Sequence, residues 1–76
     1  MLHFDTYDKK NVADLLKSMK FYEGNSKTIN TDVIGGQYRV EILVDTFDEW
    51  GYDDVDTFII YVNTPEEVQY IKNNID

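Results

Sequence analysis

Apolar residues recur at helical spacing in the first third of the chain. An amphipathic helix is predicted over about residues 9–22, because its apolar residues occupy positions i, i+3, i+4, i+7 and i+10: Val12, Leu15, Leu16, Met19 and Tyr22. The side chain of Asp8 or Asn11 can accept hydrogen bonds from the first free amides of this helix. Gly24 then favours the left-handed backbone that ends a helix.

A second helix is predicted at residues 65–75. Thr64 is a suitable N-cap, and Pro65 suits the first helical turn because its fixed φ matches the helix and its missing N–H is not needed there. Glu67 stands three residues after Thr64, the spacing of a capping box. The apolar stripe of this helix comprises Val68, Ile71 and Ile75.

Two alternating segments separated by two glycines predict a β-hairpin. Residues 28–34 and 37–47 flank Gly35-Gly36, and two glycines accommodate the positive φ angles of a tight turn. Pairing across that turn creates one largely apolar face, whose opposing pairs are Val33 with Tyr38, Thr31 with Val40 and Ile29 with Ile42. The other face then carries two polar pairs, Asp32 with Arg39 and Asn30 with Glu41.

A third strand is predicted at residues 55–63, where both alternating sets of side chains are apolar. Such a strand is buried on both faces, or is covered by a helix on one face and by a partner on the other. Residues 2–4 form either a short N-terminal edge strand or an apolar tail against the core. The sequence therefore predicts a single α+β domain over residues 1–76, in the order helix, three-stranded antiparallel sheet, C-terminal helix.

The composition narrows the classes of function. The chain has 76 residues, a net charge of -8 and no cysteine, so disulfides, thiolate catalysis and cysteine-ligated zinc are excluded. Its acidity argues against direct binding to nucleic acid or to an anionic membrane. We find no secretory signal and no apolar run long enough to cross a membrane, and therefore expect a cytoplasmic protein.

Neither catalysis nor cofactor binding is expected. His3 is the single histidine and lies near a chain end, and no serine has the setting of a nucleophile. Gly35-Gly36 lacks the lysine and the following helix of a phosphate-binding loop. Residues 48–56 contain acids near a glycine but lack the alternating spacing of a calcium loop. We therefore predict no enzyme activity and no catalytic, cofactor or metal site.

The negative charge is concentrated in one part of the chain. Residues 28–76 carry eleven acids against two bases, whereas residues 1–27 are nearly neutral. Residues 41–56 contain seven acids and no base. These acids and two aromatic residues among them are the predicted partner-binding residues: Glu41, Asp45, Asp48, Glu49, Trp50, Tyr52, Asp53, Asp54 and Asp56.

The loop between the second and third strands, about residues 47–54, is aromatic as well as acidic. It contains Phe47, Trp50 and Tyr52, although a loop does not need a tryptophan in order to turn. Aromatic side chains supply large contact areas and are enriched at interface hot spots. Trp50 either folds back over the sheet as a lid on the core or anchors a protein interface.

The acids also suggest a particular kind of partner. Glu41 and Asp45 are predicted on one outward face of the second strand, with the later acids beyond them. Alternate side chains of a strand are about 6.6 Å apart, similar to the spacing of phosphates along one nucleic-acid strand. A surface of this kind fits a basic groove built for nucleic acid, whereas a solvated acidic face that only confers solubility has the same pattern.

In size, acidity and element order the chain resembles small phage-encoded inhibitors, including type II-A anti-CRISPR proteins and DNA mimics. The resemblance implies an inhibitor that occupies a basic, nucleic-acid-binding site on a partner enzyme. An immunity protein for a basic nuclease toxin would use the same surface. A third possibility is a self-associating structural protein, in which strand 55–63 pairs with its copy at a sheet edge. The chain is accordingly expected to be a monomer or a homodimer.

Overall fold

A computed structural model describes the backbone of residues 3–75 and the side chains of residues 5–75. The elements follow one another as β1 (His3–Asp8), α1 (Val12–Met19), a 3-10 turn (Lys20–Tyr22), β2 (Lys27–Ile34), β3 (Gln37–Phe47), β4 (Asp53–Val62) and α2 (Pro65–Asn74). The described chain is therefore an α+β protein, which confirms the class predicted from the sequence.

The strands form one mixed sheet in the order β1-β4-β3-β2. The three predicted antiparallel strands are present as β2, β3 and β4. The N-terminal edge strand that the sequence left open is also present as β1, but it runs parallel to β4, so the sheet has four strands and is mixed rather than three-stranded and antiparallel. The parallel register extends from His3 opposite Asp54 to Asp8 opposite Ile59. The N–H of Lys9 continues the ladder by donating to the Ile59 carbonyl at 2.9 Å.

The sequence signal for β1 was confined to residues 2–4. His3 and Phe4 do lie in β1, and Leu2 is outside the described residues. Asp5 and Asp8 interrupt the apolar pattern of the rest of the strand. A parallel partner also lies far along the chain, since α1, β2 and β3 form the crossover, and local periodicity carries no information on such a pairing.

The β2–β3 hairpin has the predicted register. The ladder has eight residue pairs, from Lys27 opposite Val44 to Ile34 opposite Gln37, and the five pairs predicted above are among them. The turn consists of Gly35 and Gly36, with φ angles of 58° and 82°. Glycine adopts such angles without strain, so two successive glycines favour a turn of this position and length.

The first helix is shorter than the predicted 9–22. The side chain of Asn11 accepts the N–H of Asp14 at 2.8 Å and caps the helix, which therefore begins at Val12 rather than near residue 9. After Met19 the backbone tightens into the 3-10 turn, and Gly24 follows with a φ of 91°.

The second helix has the predicted cap. The N–H of Glu67 donates to the Thr64 hydroxyl oxygen at 3.3 Å. The Glu67 carboxylate in turn accepts the N–H of Asn63 at 3.4 Å and the Thr64 hydroxyl at 3.2 Å. The reciprocal contact of the capping box thus reaches one residue before the cap. The helix ends at Asn74.

The core lies between the two helices and one face of the sheet. Alternate residues of β3 and β4 point toward the helices, because side chains of a strand alternate between its faces. The buried apolar residues are Leu15, Met19, Val40, Ile42, Val44, Phe58, Ile60, Val62, Val68, Ile71 and Ile75. We call this the helix-covered face of the sheet.

No described helix covers the other face of the sheet, which we call the open face. Its apolar side chains on β4 are Val55 and Ile59, both half-buried, and Tyr61, which is exposed. The double apolar pattern of residues 55–63 therefore reflects one covered and one open face. No helix in the described part of the chain is long and apolar enough to cross a membrane.

The predicted self-pairing of strand 55–63 at a sheet edge is wrong. β4 lies between β1 and β3 and forms ladders with both of them. Neither of its edges is therefore available to a strand of a second copy.

We expect Ile60→Ala to destabilise the protein by about 2–5 kcal/mol, because this fully buried side chain leaves a cavity under both helices. Ile59→Ala is the matched control, since it truncates the adjacent, half-buried isoleucine of the open face. Urea unfolding followed by circular dichroism measures both losses. An Ile59→Ala loss as large as that of Ile60→Ala would contradict the assignment of the core to the helix-covered face.

Candidate protein-binding site

The β3–β4 hairpin ends in a tight, internally bonded loop. We call residues 47–53 the hairpin tip. The N–H of Asp48 donates to the Tyr52 carbonyl at 2.9 Å, and the N–H of Gly51 donates to the Asp48 carbonyl at 3.1 Å. Gly51 has a φ of 82°, which a side chain would strain. The unpaired loop is Asp48–Tyr52 and is shorter than the predicted eight residues.

The Asp48 carboxylate holds this loop together. Its Oδ1 accepts the backbone N–H groups of both Trp50 and Tyr52, each at 2.9 Å. A charged acceptor that satisfies two free amides favours one loop conformation over many. Asp48 was predicted to contact a partner, but its carboxylate is used within the tip.

Three aromatic side chains stand exposed on the hairpin tip. Phe47 is 73% exposed, Trp50 74% and Tyr52 57%. The interpretation of Trp50 as a lid on the core is therefore wrong. Glu49 and Asp53, which flank these rings in sequence, are also exposed. The tip thus combines a large apolar area with negative charge on an ordered loop.

The strand period divides the remaining predicted acids between the two faces of the sheet. Asp45 and Asp53 project on the open face, as does Glu41. Asp54 and Asp56 project on the helix-covered face. The nine predicted residues therefore do not form one surface: some belong to the tip and the adjoining open face, and Asp54 and Asp56 lie on the opposite side.

Glu41 is not a free acid of the open face. Its carboxylate forms an ion pair with Arg39 at 3.1 Å and accepts the side-chain amide of Asn30 at 3.4 Å. Asp32 is the cross-strand neighbour of Arg39, as predicted, but the ion pair goes to Glu41. The charge of Glu41 is thus largely compensated, and Asp45 is the more available acid of β3.

A second acidic group lies at the parallel β1–β4 pair. Carboxylate oxygens of Asp5, Asp54 and Asp56 come within 4.8 Å of one another, because Asp5 is the register partner of Asp56. Hard cations such as calcium take six to eight oxygen ligands, so these three side chains alone do not complete a calcium site. Asp5 was not among the predicted site residues, since its position depends on the parallel pairing.

Tyr22 and Tyr7 border this acidic group. The Tyr22 hydroxyl donates to Asp56 Oδ2 at 2.6 Å. Both rings contact Phe58, Tyr7 in a stacked arrangement at 5.1 Å between centroids and Tyr22 edge-on at 5.4 Å. Asp56 therefore joins the 3-10 turn that follows α1 to β4, which gives this predicted partner-binding residue a structural role.

The electrostatics of this cluster favour neutral phenols. Burial raises the pKa of the Tyr22 hydroxyl, and the hydrogen bond to Asp56 and the charge of that carboxylate raise the pKa further. The pKa of Tyr7 is also raised, chiefly by the charge of Asp56 and then by burial. Burial and the neighbouring carboxylates thus both disfavour a phenolate at these two positions.

No family, curated protein or solved structure matches the chain. Inference about function therefore depends on the site itself. Within the described residues, the hairpin tip brings three exposed aromatic rings together with exposed acids on one loop. Phe47, which the predicted set omitted, belongs to it, and its place among Trp50 and Tyr52 in the sequence was the available signal.

We expect Asp48→Ala to loosen the hairpin tip and to cost about 1–3 kcal/mol of stability, since two amides lose a charged acceptor. Asp48→Asn is the matched control, because it keeps an oxygen at the same position. Hydrogen exchange of the Trp50 and Tyr52 amides should accelerate in the alanine variant and much less in the asparagine variant. Unchanged exchange in Asp48→Ala would refute the role of this carboxylate.

We expect stability to fall as the pH rises above about 10, where tyrosine in the unfolded chain ionises. The raised pKa of Tyr22 keeps its proton in the folded state, so the unfolded state binds fewer protons above that pH and is favoured. Tyr22→Phe should reduce this pH dependence, while losing about 1 kcal/mol at neutral pH with the hydrogen bond. Urea unfolding between pH 7 and 11 measures both effects, with Tyr70→Phe on α2 as the control. If the free energy of unfolding falls with pH as steeply for Tyr22→Phe as for wild type, the expectation is contradicted.

Proposed function

We propose that this chain is a small acidic binding protein that inhibits a nucleic-acid-binding enzyme by occupying its basic site. The observation that carries the proposal is the hairpin tip, where Phe47, Trp50 and Tyr52 are exposed beside Glu49 and Asp53. The physical case has three parts: the aromatic area, the preorganised loop and the charge.

The aromatic area favours a protein interface over a solvated loop. Exposing three large rings to water on one loop is unfavourable unless a partner buries them. Tryptophan and tyrosine are frequent hot-spot residues, since they bury much area with few rotatable bonds. Trp50, the most exposed of the three, is the anchor that we assign to this interface.

The ordered loop makes such binding less costly. The Asp48 carboxylate already holds the backbone of the tip through Trp50 and Tyr52. A preformed loop loses little conformational entropy when it binds, so more of the contact energy contributes to affinity. The same ordering favours slow dissociation of the complex.

The charge selects a basic partner. The net charge of -8 attracts a cationic surface and speeds the encounter with it. Nucleic-acid-binding sites combine a basic groove with groups that stack on bases. Carboxylates such as Asp45 and Asp53 can pair with the arginines and lysines that would otherwise hold phosphates, and the aromatic rings can stack on guanidinium groups.

Binding should depend on one aromatic and one acidic residue of the tip. We expect Trp50→Ala to weaken the complex by at least about 2 kcal/mol, or roughly 30-fold. Asp53→Lys should also weaken the complex, and its effect should be greatest at low salt. Tyr70→Ala and Glu66→Lys are matched controls, because they make the same kinds of change on the exposed side of α2. The partner is captured from host lysate on immobilised wild-type protein and identified by mass spectrometry, and affinities are then measured by calorimetry with the purified partner.

The capture supports the proposal only if further conditions are met. The partner should be basic, its affinity should decrease as salt rises, and duplex DNA or RNA should compete with this chain for it. Equal affinity of Trp50→Ala and wild type would place the interface elsewhere. A complex that is indifferent to salt and to nucleic acid would refute the inhibitor mechanism. A partner that is itself a nuclease toxin would favour an immunity role for the same surface.

A further inference from the structure

β2 forms one edge of the sheet. It pairs with β3 on one side, and no described strand lies on its other side. The backbone hydrogen bonds identify which of its residues face outward. The Ser26 carbonyl accepts the N–H of Asp45 at 2.9 Å, which extends the register of the hairpin. Because bonded and non-bonded pairs alternate in an antiparallel ladder, the outward N–H and C=O groups belong to Lys27, Ile29, Thr31 and Val33.

This edge has little of the usual protection against pairing with another strand. Natural edge strands are blunted by proline, bulges, charged side chains (especially lysine) or short length, and the lysine of β2 is its first residue, Lys27. β2 has eight residues, no proline and an unbroken register with β3. Two apolar side chains near its C-terminal end are exposed: Val33, on the helix-covered face, is 67% exposed, and Ile34, on the open face, is 52% exposed. Asp32 is the single acid along the strand.

We propose that β2 pairs with β2 of a second copy of this chain, in antiparallel orientation about a two-fold axis at Thr31. Because a two-fold axis relates the two copies, each copy contributes the same residues to the strand pair. With Thr31 opposite Thr31, each Ile29 faces Val33 of the second copy, and the outward donors of all three positions find acceptors. Moving the axis to Asn30 would place Lys27 opposite Val33, which is a poorer apolar match.

The charge distribution favours a second copy as the occupant. Residues 27–42 carry Lys27, Arg39, Asp32 and Glu41, which sum to zero, so two β2 edges meet without repulsion despite the net charge of -8. The other edge, β1, carries Asp5 and Asp8 and lies beside β4, which carries further acids. Like charges directly opposite one another destabilise strand pairs, so β1 is the less suitable edge.

The two-fold geometry also keeps the two acidic hairpin tips apart. β3 and its counterpart run in opposite directions in the eight-stranded sheet, because the two β2 strands are antiparallel. The two hairpin tips therefore point to opposite ends of the dimer and remain accessible. The dimer is expected to be weak and concentration-dependent, since one strand pair buries less area than a stable interface. This assembly does not depend on the proposed inhibitory function.

Sedimentation velocity of the full chain over a wide concentration range tests the assembly. We expect wild type to shift from monomer to twice the monomer mass as concentration rises. Thr31→Pro should remain monomeric, because it removes an outward N–H that β3 does not use and places a ring in the path of the second strand. Thr31→Ala keeps that N–H and should still dimerise, and circular dichroism establishes that both variants are folded.

Hydrogen exchange on wild type alone keeps the proposal testable if the proline variant fails to fold. The amides of Ile29, Thr31 and Val33 should exchange more slowly as concentration rises, whereas the amides of Glu49 and Gly51 in the tip should not change. Wild type that stays monomeric at all concentrations would overturn the proposal. Dimers of Thr31→Pro, or concentration-independent exchange at these three amides, would also overturn it.

Discussion

The fold depends on the position of β4 between β1 and β3. Its Phe58, Ile60 and Val62 side chains belong to the buried core between the sheet and the helices, so this strand supplies much of the apolar surface whose burial stabilises the chain. Its antiparallel ladder with β3 directs the hairpin tip away from the core. Its parallel ladder with β1 makes β1 one edge strand of the sheet. The other edge strand, β2, carries less net charge.

The same strand determines how the negative charge is displayed. Acids that are neighbours in sequence point to opposite faces because side chains alternate along a strand. Asp53 consequently joins the aromatic tip on the open side, whereas Asp56 turns toward α1 and accepts the Tyr22 hydroxyl. One run of acids thus contributes to two surfaces, of which one is available to a partner and the other strengthens the attachment of α1 to the sheet.

The two proposed interfaces differ in their physical character. The hairpin tip offers exposed rings and net negative charge, and it suits a cationic protein surface. The β2 edge offers unpaired backbone groups and balanced charge, and it suits another strand. If both are occupied, a dimer would carry a tip at each end, and a partner with two basic sites would be bound with higher avidity than either tip achieves alone.

The sequence by itself determined the elements that depend on local chemistry. Gly35-Gly36 set the register of the β2–β3 hairpin, and Thr64 and Pro65 set the start of α2. The acids of residues 41–56 and the aromatic residues among them indicated the candidate site. Only the tertiary structure decided the parallel pairing of β1, the exposure of Trp50 and the separation of Asp53 from Asp54 and Asp56. These features depend on contacts between residues far apart in the chain, whose energies local periodicity and propensity do not contain.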